Sequence, residues 1–539
     1  MKKYRFGASF GDFVVTEMKE YKSRRVEGQE SARDYRRGWV VWLAILAAMG
    51  ALVVRLGALQ LFEGGEYRIL ADENRIKKIR LAAERGKILD RNEQDVRTLG
   101  EAAAHVVGYV AEVNEEEVGL LRDAGQKYEL GSQIGRTGIE QQYEDKLRGR
   151  DGGRLVEVNP NQEVVRELGH QEPQAGSDVT LTLEAGLQQT AFAALGRKRG
   201  AVIVSNPKTG EILALVSSPA FNPHQVTASS EFFNRAIGGI YPPGSTFKIV
   251  TTVAALESGK ADGNFTYEDT GVINIGKFAY TNWYFTQYGR TEGVVGWEKA
   301  LARSVDTFFY KVGELTGAET IAEWAEKFGM GVKTGIDLPG EVSGLVPDND
   351  WKEKTFGQVW YPGDTLHMAI GQGFLLTTPL QVMGFTSFVA SNGILYEPQL
   401  VNKIIAGDIT LSEFKPQILI SNLVNSKNLD AIKKGLEQVT KDGGTAWPFF
   451  TFPIPTAGKT GTAEYGDPKN RTHAWYTSYA PVNNPKIVMT VLLEGAGEGS
   501  SVAAPVVKEA YRWYFSPDKN NLIKDIYQIA TPSAKQFGE

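Results

Sequence analysis

The sequence predicts an α+β fold, and three observations carry the prediction. AVIVSNPKTGEILALVSS (201–218) is a pair of apolar strands about an Asn-Pro-Lys-Thr-Gly turn, a hairpin by turn chemistry. From there helix-like stretches dominate until PKIVMTVLLEG (485–495), which reads as another strand. Strands at both ends of a domain with helices between them give an α+β or three-layer sheet closed by its N- and C-terminal segments.

A chain of 539 residues is too long for one compact domain and suggests about two to four. The formal net charge of −5 offers no general attraction to phosphate backbones, so no nucleic-acid partner is expected. There is no cysteine, which excludes thiol nucleophiles, thiolate metal sites and disulfides. The five histidines, His105, His170, His224, His367 and His473, are scattered, and none pairs at helical ligand spacing; no metal site is predicted.

Trp39 to Val54 carry no charge, and with Arg55 tolerated near one end the apolar run continues to Phe62, about 36 Å as a helix. The stretch is long for a cleaved signal peptide and no clear small-x-small site follows it before Glu63, so it is read as an anchor. Lys22, Arg24, Arg25, Arg33, Arg36 and Arg37 precede it, which places the N-terminus in the cytoplasm and the rest outside. Residues 1–38 are then a cytoplasmic tail, 39–62 a single transmembrane helix, and 63–180 a small mixed module of short apolar segments and many charges. GHQEPQAGSD (169–178) reads as a linker and DVTLTL starts a strand pattern; the main domain is 181–516, followed by a C-terminal tail at 517–539.

GIYPPGSTFKIVTTVAAL (239–256) puts Ser245 directly after Pro-Pro-Gly and Lys248 three positions on, at the start of a helix apolar on all sides. Ser245 is a favoured N-cap type, and a lysine at i+3 shares its face, so the amine is placed to reach the serine oxygen. Burial and the helix N-terminus lower a lysine pKa, and a neutral amine beside a hydroxyl is a base beside a nucleophile. S-x-x-K alone is weak: it recurs at Ser205–Lys208, Ser412–Lys415 and Ser516–Lys519, but only Ser245 opens a buried helix. K-T-G occurs three times. Lys208-Thr209-Gly210 is the hairpin turn and Lys333-Thr334-Gly335 lies in a glycine-rich loop. Lys459-Thr460-Gly461, with Thr462, is followed by two stretches that read as strands; at a sheet edge it forms a receptor for a carboxylate. A Walker A loop is disfavoured because Pro453 stands where its first glycine belongs. Between these, Ser304 and Asp306 in ALARSVDTFFYKVG lie at the junction of two helices, a position that capping alone would explain.

S-x-x-K, S-x-N or S-x-D, and K-T-G in that order are the signature of penicillin-interacting serine acyltransferases. The chain resembles the class B penicillin-binding proteins, the peptidoglycan D,D-transpeptidases, over roughly residues 39–515. RGKILDRN (85–92) looks like that family's R-G-x-I-x-D-R-N box, GRTGIEQQYEDKLRG (135–149) like its G-x-x-G-(I/L)-E segment, and WYPGDTLHMAIGQGFLLTTPLQ (360–381) like its G-D-T and G-Q-G stretch. The S-x-D form with WYPGDT and YAPVNNPKI resembles the elongation type, penicillin-binding protein 2.

The resemblance implies a serine β-lactamase-like transpeptidase domain with a central antiparallel sheet flanked by helices, set on a small α+β pedestal at 63–180. It implies that Ser245 attacks the penultimate D-alanine carbonyl of a stem pentapeptide while Lys248 takes its proton. Ser304 would relay that proton to the departing D-alanine, and Asp306 would orient the peptide amide and the lysine. Lys459, Thr460 and Thr462 would bind the terminal carboxylate, with Gly461 between them and the backbone N–H groups of Ser245 and Thr462 at the oxyanion. β-Lactams would acylate the same serine. Expected partners are peptidoglycan stem peptides on lipid II-derived glycan, a SEDS-type glycosyltransferase and elongation scaffold proteins, at the bacterial cytoplasmic membrane. No cofactor is implied. Asp306 stands where most of the family has asparagine, and a carboxylate close to Lys248 is expected to raise that lysine's pKa. Glu93 replaces the usual glycine after D-R-N, and the pedestal's head looks trimmed. The cysteine that completes a zinc site in some elongation-type members is absent. A membrane-anchored β-lactam sensor or β-lactamase, and a non-catalytic cell-wall scaffold, are the competing readings.

Overall fold

The computed structural model describes residues 6–9, 12–15, 34–65, 67, 68, 75–126, 128–159 and 161–519. The basic residues Lys22, Arg24, Arg25 and Arg33, the side chains of Arg36 and Arg37, and the tail beyond 519 lie outside the described residues. The chain divides into two compact units, 1–79 with 153–170, and 80–152 with 171–539.

In the first unit, α1 (Asp34–Leu61) contains an apolar stretch, Gly38–Leu61, of 24 residues with mean hydropathy 2.2 and no buried residue. At 1.5 Å per residue it is about 36 Å long, enough to cross a hydrocarbon core with some tilt. A three-stranded sheet runs β1 (Ile76–Leu81), β2 (Gly152–Val158), β3 (Val164–Gln171), with β2 in the middle.

The second unit holds the two boxes of the 80–152 segment together by charge. Arg85 bridges Glu140 at 2.5 Å and Glu144 at 2.6 Å, and Arg97 reaches Glu140 at 2.8 Å. The Glu140 carboxylate is only 4% exposed and is paired with two guanidinium groups, which offset the cost of taking it out of water. Asp90 of the same first box is fully buried and accepts from the backbone N–H groups of Asn92, Gln94 and Ala185, which ties this segment to the start of α2 (Ala185–Leu195).

The main layer is a five-stranded antiparallel sheet of β4 (Gly200–Ser205), β5 (Ile212–Ser218), β6 (Ala457–Glu464), β7 (Thr472–Ala480) and β8 (Ile487–Leu493), in the spatial order β5-β4-β8-β7-β6. Antiparallel strands commonly alternate apolar and polar residues, but these are apolar almost throughout because helices cover both faces. Val202, Val204, Val491 and Leu493 pack with α2 and the C-terminal helix, whereas Ala201, Ile203, Val488 and Leu492 face the other core. That second core is built on α3 (Lys248–Glu257) and the almost wholly buried α8 (Pro379–Ala390). Thr378 and Gln381 form a capping box at the start of α8, satisfying donors that burial would otherwise leave unpaired. Between α3 and α8 lie α4 (Trp283–Tyr288), α5 (Trp297–Arg303), α6 (Asp306–Thr316) and α7 (Pro362–Ala369). The strand β6 is the sheet's edge, so one row of its backbone groups has no strand partner.

Candidate active site

Ser245 does not cap a helix as its residue type suggests. It sits inside a 3₁₀ turn, Gly244–Phe247, whose N-cap is Pro243, and the α-helical bonding of α3 begins at Lys248. Gly244 makes this entry possible: its φ of +53° is left-handed, and a Cβ there would lie 2.9 Å from Thr462 O. Along 241–256 every residue is buried except Ser245, which is half-buried. Among the described residues its hydroxyl has no hydrogen-bond partner, so the i+3 spacing has not tied Lys248 to it.

Lys248 points instead to the junction between α5 and α6. Its Nζ donates to Asp306 Oδ1 at 2.6 Å, Ser304 O at 2.9 Å and Ser304 Oγ at 3.2 Å. Ser304 ends α5 in the left-handed region at φ +54°, a conformation that costs a non-glycine residue about 1 kcal/mol or more. The reversal sets its hydroxyl between two amines, because Lys459 Nζ also donates to Ser304 Oγ at 2.9 Å and to Thr460 O at 2.9 Å. Lys248, Ser304 and Lys459 thus form one chain of hydrogen bonds through a single hydroxyl. Asp306 is fixed from the other side, its Oδ2 accepting from Trp283 N at 3.1 Å while its own N–H donates to Asn282 Oδ1 at 3.2 Å. Asn282 is itself held by the buried Asp269.

Both lysines are fully buried. Burial pushes the Lys248 amine below its ordinary range, and the opposing pull of Asp306 does not reverse that. The expectation that Asp306 sets the direction therefore gives way to desolvation. Lys459 is pushed well below its ordinary value, by burial first and then by the neighbouring Lys248 charge.

The third box abuts the serine turn directly. A Cβ on Gly461 would lie 3.1 Å from Thr246 Cγ2 and 3.2 Å from Pro243 O, so glycine is what lets the edge strand approach. From the opposite wall, a Cβ on Gly371 would lie 2.1 Å from Gly244 O, and the Gly244 N–H donates to Gly371 O at 2.8 Å. Thr460 is buried with its hydroxyl 2.7 Å from that of Thr445, while Thr462 and Glu464 are exposed. With its side-chain amide turned to satisfy both groups, Gln372 accepts from Glu464 N at 3.1 Å and donates to Glu464 O at 3.3 Å. The backbone of Glu464 thus faces the free edge, and by the two-residue period so does that of Thr462.

The predicted residues Lys248, Ser304, Asp306 and Lys459 are therefore joined by hydrogen bonds, and Ser245, Thr460, Gly461 and Thr462 adjoin them on the 3₁₀ turn and the edge strand, together framing the candidate cleft. The competing motifs go elsewhere: Ser205 is buried against Met383, and Thr334 and Gly335 bind the buried Glu341 carboxylate of their own loop. Sequence reasoning missed Asn282, Trp283, Thr445 and Gln372 as participants; only Gln372 had a signal, in the G-Q-G stretch. Among the described residues no group of three or more His, Asp and Glu is placed to hold a metal ion.

Comparison with known proteins shows the family. Residues 200–512 match the penicillin binding protein transpeptidase domain and 96–181 the penicillin-binding protein dimerisation domain. The Escherichia coli K12 peptidoglycan D,D-transpeptidase MrdA is 30% identical over 604 residues, covering 90% of this chain and 95% of that one. Pseudomonas aeruginosa PBP2, solved with WCK 5153, is 32% identical with a TM-score of 0.69, covering 82% of this chain and 97% of the other. Helicobacter pylori PBP2, solved in complex with MreC, is 26% identical with a TM-score of 0.69, covering 81% and 98%.

Proposed function

This chain belongs to the penicillin-binding transpeptidases, and from that membership we propose how its residues divide the work of a peptidoglycan D,D-transpeptidase. Ser245 is the nucleophile. Its oxygen attacks the carbonyl carbon of the penultimate D-alanine and passes its proton to Lys248, whose proton affinity burial lowers. The developing oxyanion lies against the N–H groups of Ser245 and Thr462, each worth about 3 kcal/mol in the transition state. As the C–N bond breaks, the proton moves from Lys248 through Ser304 to the amine of the departing D-alanine. A stem-peptide amine then attacks the acyl-enzyme, gives up a proton by the same route, and releases Ser245 with the crosslink made.

Lys459, Thr460 and Thr462 receive the terminal carboxylate of the donor. The observation that carries the assignment is the Lys248–Ser304–Lys459 chain, 3.2 and 2.9 Å per link, beside the one accessible residue of a buried turn. The test is mass spectrometry after penicillin treatment: an adduct on Ser245 is expected, and an adduct elsewhere, or none, defeats the assignment.

The apolar helix Gly38–Leu61 supports a single-pass anchor. The N-terminus is assigned to the cytoplasm and the domains to 63–180 and 181–516, with the catalytic domain outside the membrane. A SEDS-type glycosyltransferase and elongation scaffolds are the proposed partners; the MreC complex of the Helicobacter pylori relative supports a scaffold contact.

A further inference from the structure

Glu464 is the exposed carboxylate at the end of the edge strand, two residues beyond Thr462. Other acidic groups around the cleft are engaged: Asp306 with Lys248, Glu292 with Arg303, Asp364 with Lys352, and Glu498 with Gln287. Among the described residues the Glu464 carboxylate has neither an ion-pair nor a hydrogen-bond partner. Its charge is felt across the cleft, where it raises the proton affinity of His367 on α7 and Tyr310 on α6. Burial nevertheless keeps His367 below its ordinary pKa, so this wall supplies no competing cation at neutral pH.

The direction of the donor peptide follows from the assignment of Lys459, Thr460 and Thr462, on which this inference rests. With its terminal carboxylate at 459–460 and its scissile carbonyl at Thr462 N, the donor runs antiparallel to β6, and its preceding residue is displaced toward Glu464. One strand residue advances about 3.4 Å, so the third residue of the stem arrives within side-chain reach of Glu464. Gln372 already occupies the backbone N–H and C=O of Glu464. The donor therefore leaves the edge after Thr462, with the side chain of its third residue beside an unpaired carboxylate. We propose that Glu464 is a specificity residue of the donor subsite, and that it receives the free ω-ammonium of a diamino acid at the third position of the stem peptide.

The test uses the full chain in detergent and two thioester donors, Nα-acetyl-L-lysyl-D-alanyl-D-thiolactate and its Nε-acetylated counterpart, with thiol release giving kcat/KM for each. Wild type is expected to favour the ammonium-bearing donor by about two- to fivefold at low salt, with the preference shrinking as salt rises. Glu464→Gln should bring the ratio to one, and Glu464→Lys should invert it. Equal use of the two donors by wild type, or an unchanged ratio in Glu464→Gln, overturns the proposal. Failure of both thioesters together with no penicillin adduct on Ser245 would instead defeat the transpeptidase assignment beneath it.

Discussion

Replacing Asp306 by asparagine isolates what the carboxylate does for Lys248. The substitution keeps an oxygen acceptor for Lys248 Nζ and for Trp283 N, and removes only the charge. Opposite unit charges 2.6 Å apart attract by about 6 kcal/mol at an effective dielectric near 20, before their desolvation is counted. The net effect of one such neighbour on a titration is about one to three pH units, at about 1.4 kcal/mol per unit. Burial already holds Lys248 low, and without Asp306 nothing opposes it, so the amine loses its proton at still lower pH. The second-order rate of acylation by a fluorescent penicillin, measured from about pH 5 to pH 9, should show its acid limb displaced downward by about one to three units. The plateau should fall as well, because the weaker base takes the serine proton less readily. Stability moves in the same sense. A lysine whose folded pKa lies below its unfolded value binds fewer protons when folded, so its contribution grows as pH rises through that interval. In the variant the rise begins at lower pH, which thermal melting across pH would register. An acid limb that stays put or moves upward would show that Lys248 is not the group whose proton loss gates acylation.

Ser304→Ala removes the hydroxyl shared by the two lysines and should lower the acylation rate by about 10²- to 10⁴-fold, as read by penicillin labelling, while circular dichroism reports a folded protein. Gly371→Ala forces a Cβ to 2.1 Å from Gly244 O at a φ of +75°; melting should show a loss of about 1–3 kcal/mol, accompanied by slower acylation because Gly244 precedes Ser245. Arg85→Ala leaves the buried Glu140 with Arg97 as its remaining cation and should lower stability by up to about 3 kcal/mol in denaturant titrations.

The three boxes were legible because each needs a residue type that its backbone position alone does not. Lys248 in an otherwise apolar helix, Ser304 and Asp306 at a helix junction, and Lys459 beside a glycine on a strand are each unremarkable alone and informative in order. The hairpin at β4–β5 and the strand β8 were readable from turn chemistry and apolar runs. What the sequence concealed is contact between distant segments. Nothing in YTNWYFTQYG says that Asn282 and Trp283 will hold Asp306, because their partners lie more than twenty residues away. Thr445 meets Thr460 only through loop packing. The Ser245 turn misled for a local reason: after Pro-Pro a left-handed glycine tightens the first turn into 3₁₀ form, so the serine enters within it rather than before it.

The Gln372 amide on the backbone of Glu464 also bears on what else the open edge of the sheet can pair with. A sheet whose outermost strand must remain open for a peptide presents the same opening to any extended chain, and such borders are where proteins stack into aggregates. Here the opening is closed at one end by a side chain that consumes both backbone groups of the final residue. On the proposed binding mode a short peptide terminus would occupy the gap that is left, while a long foreign strand would run into a stop before it could build a ladder.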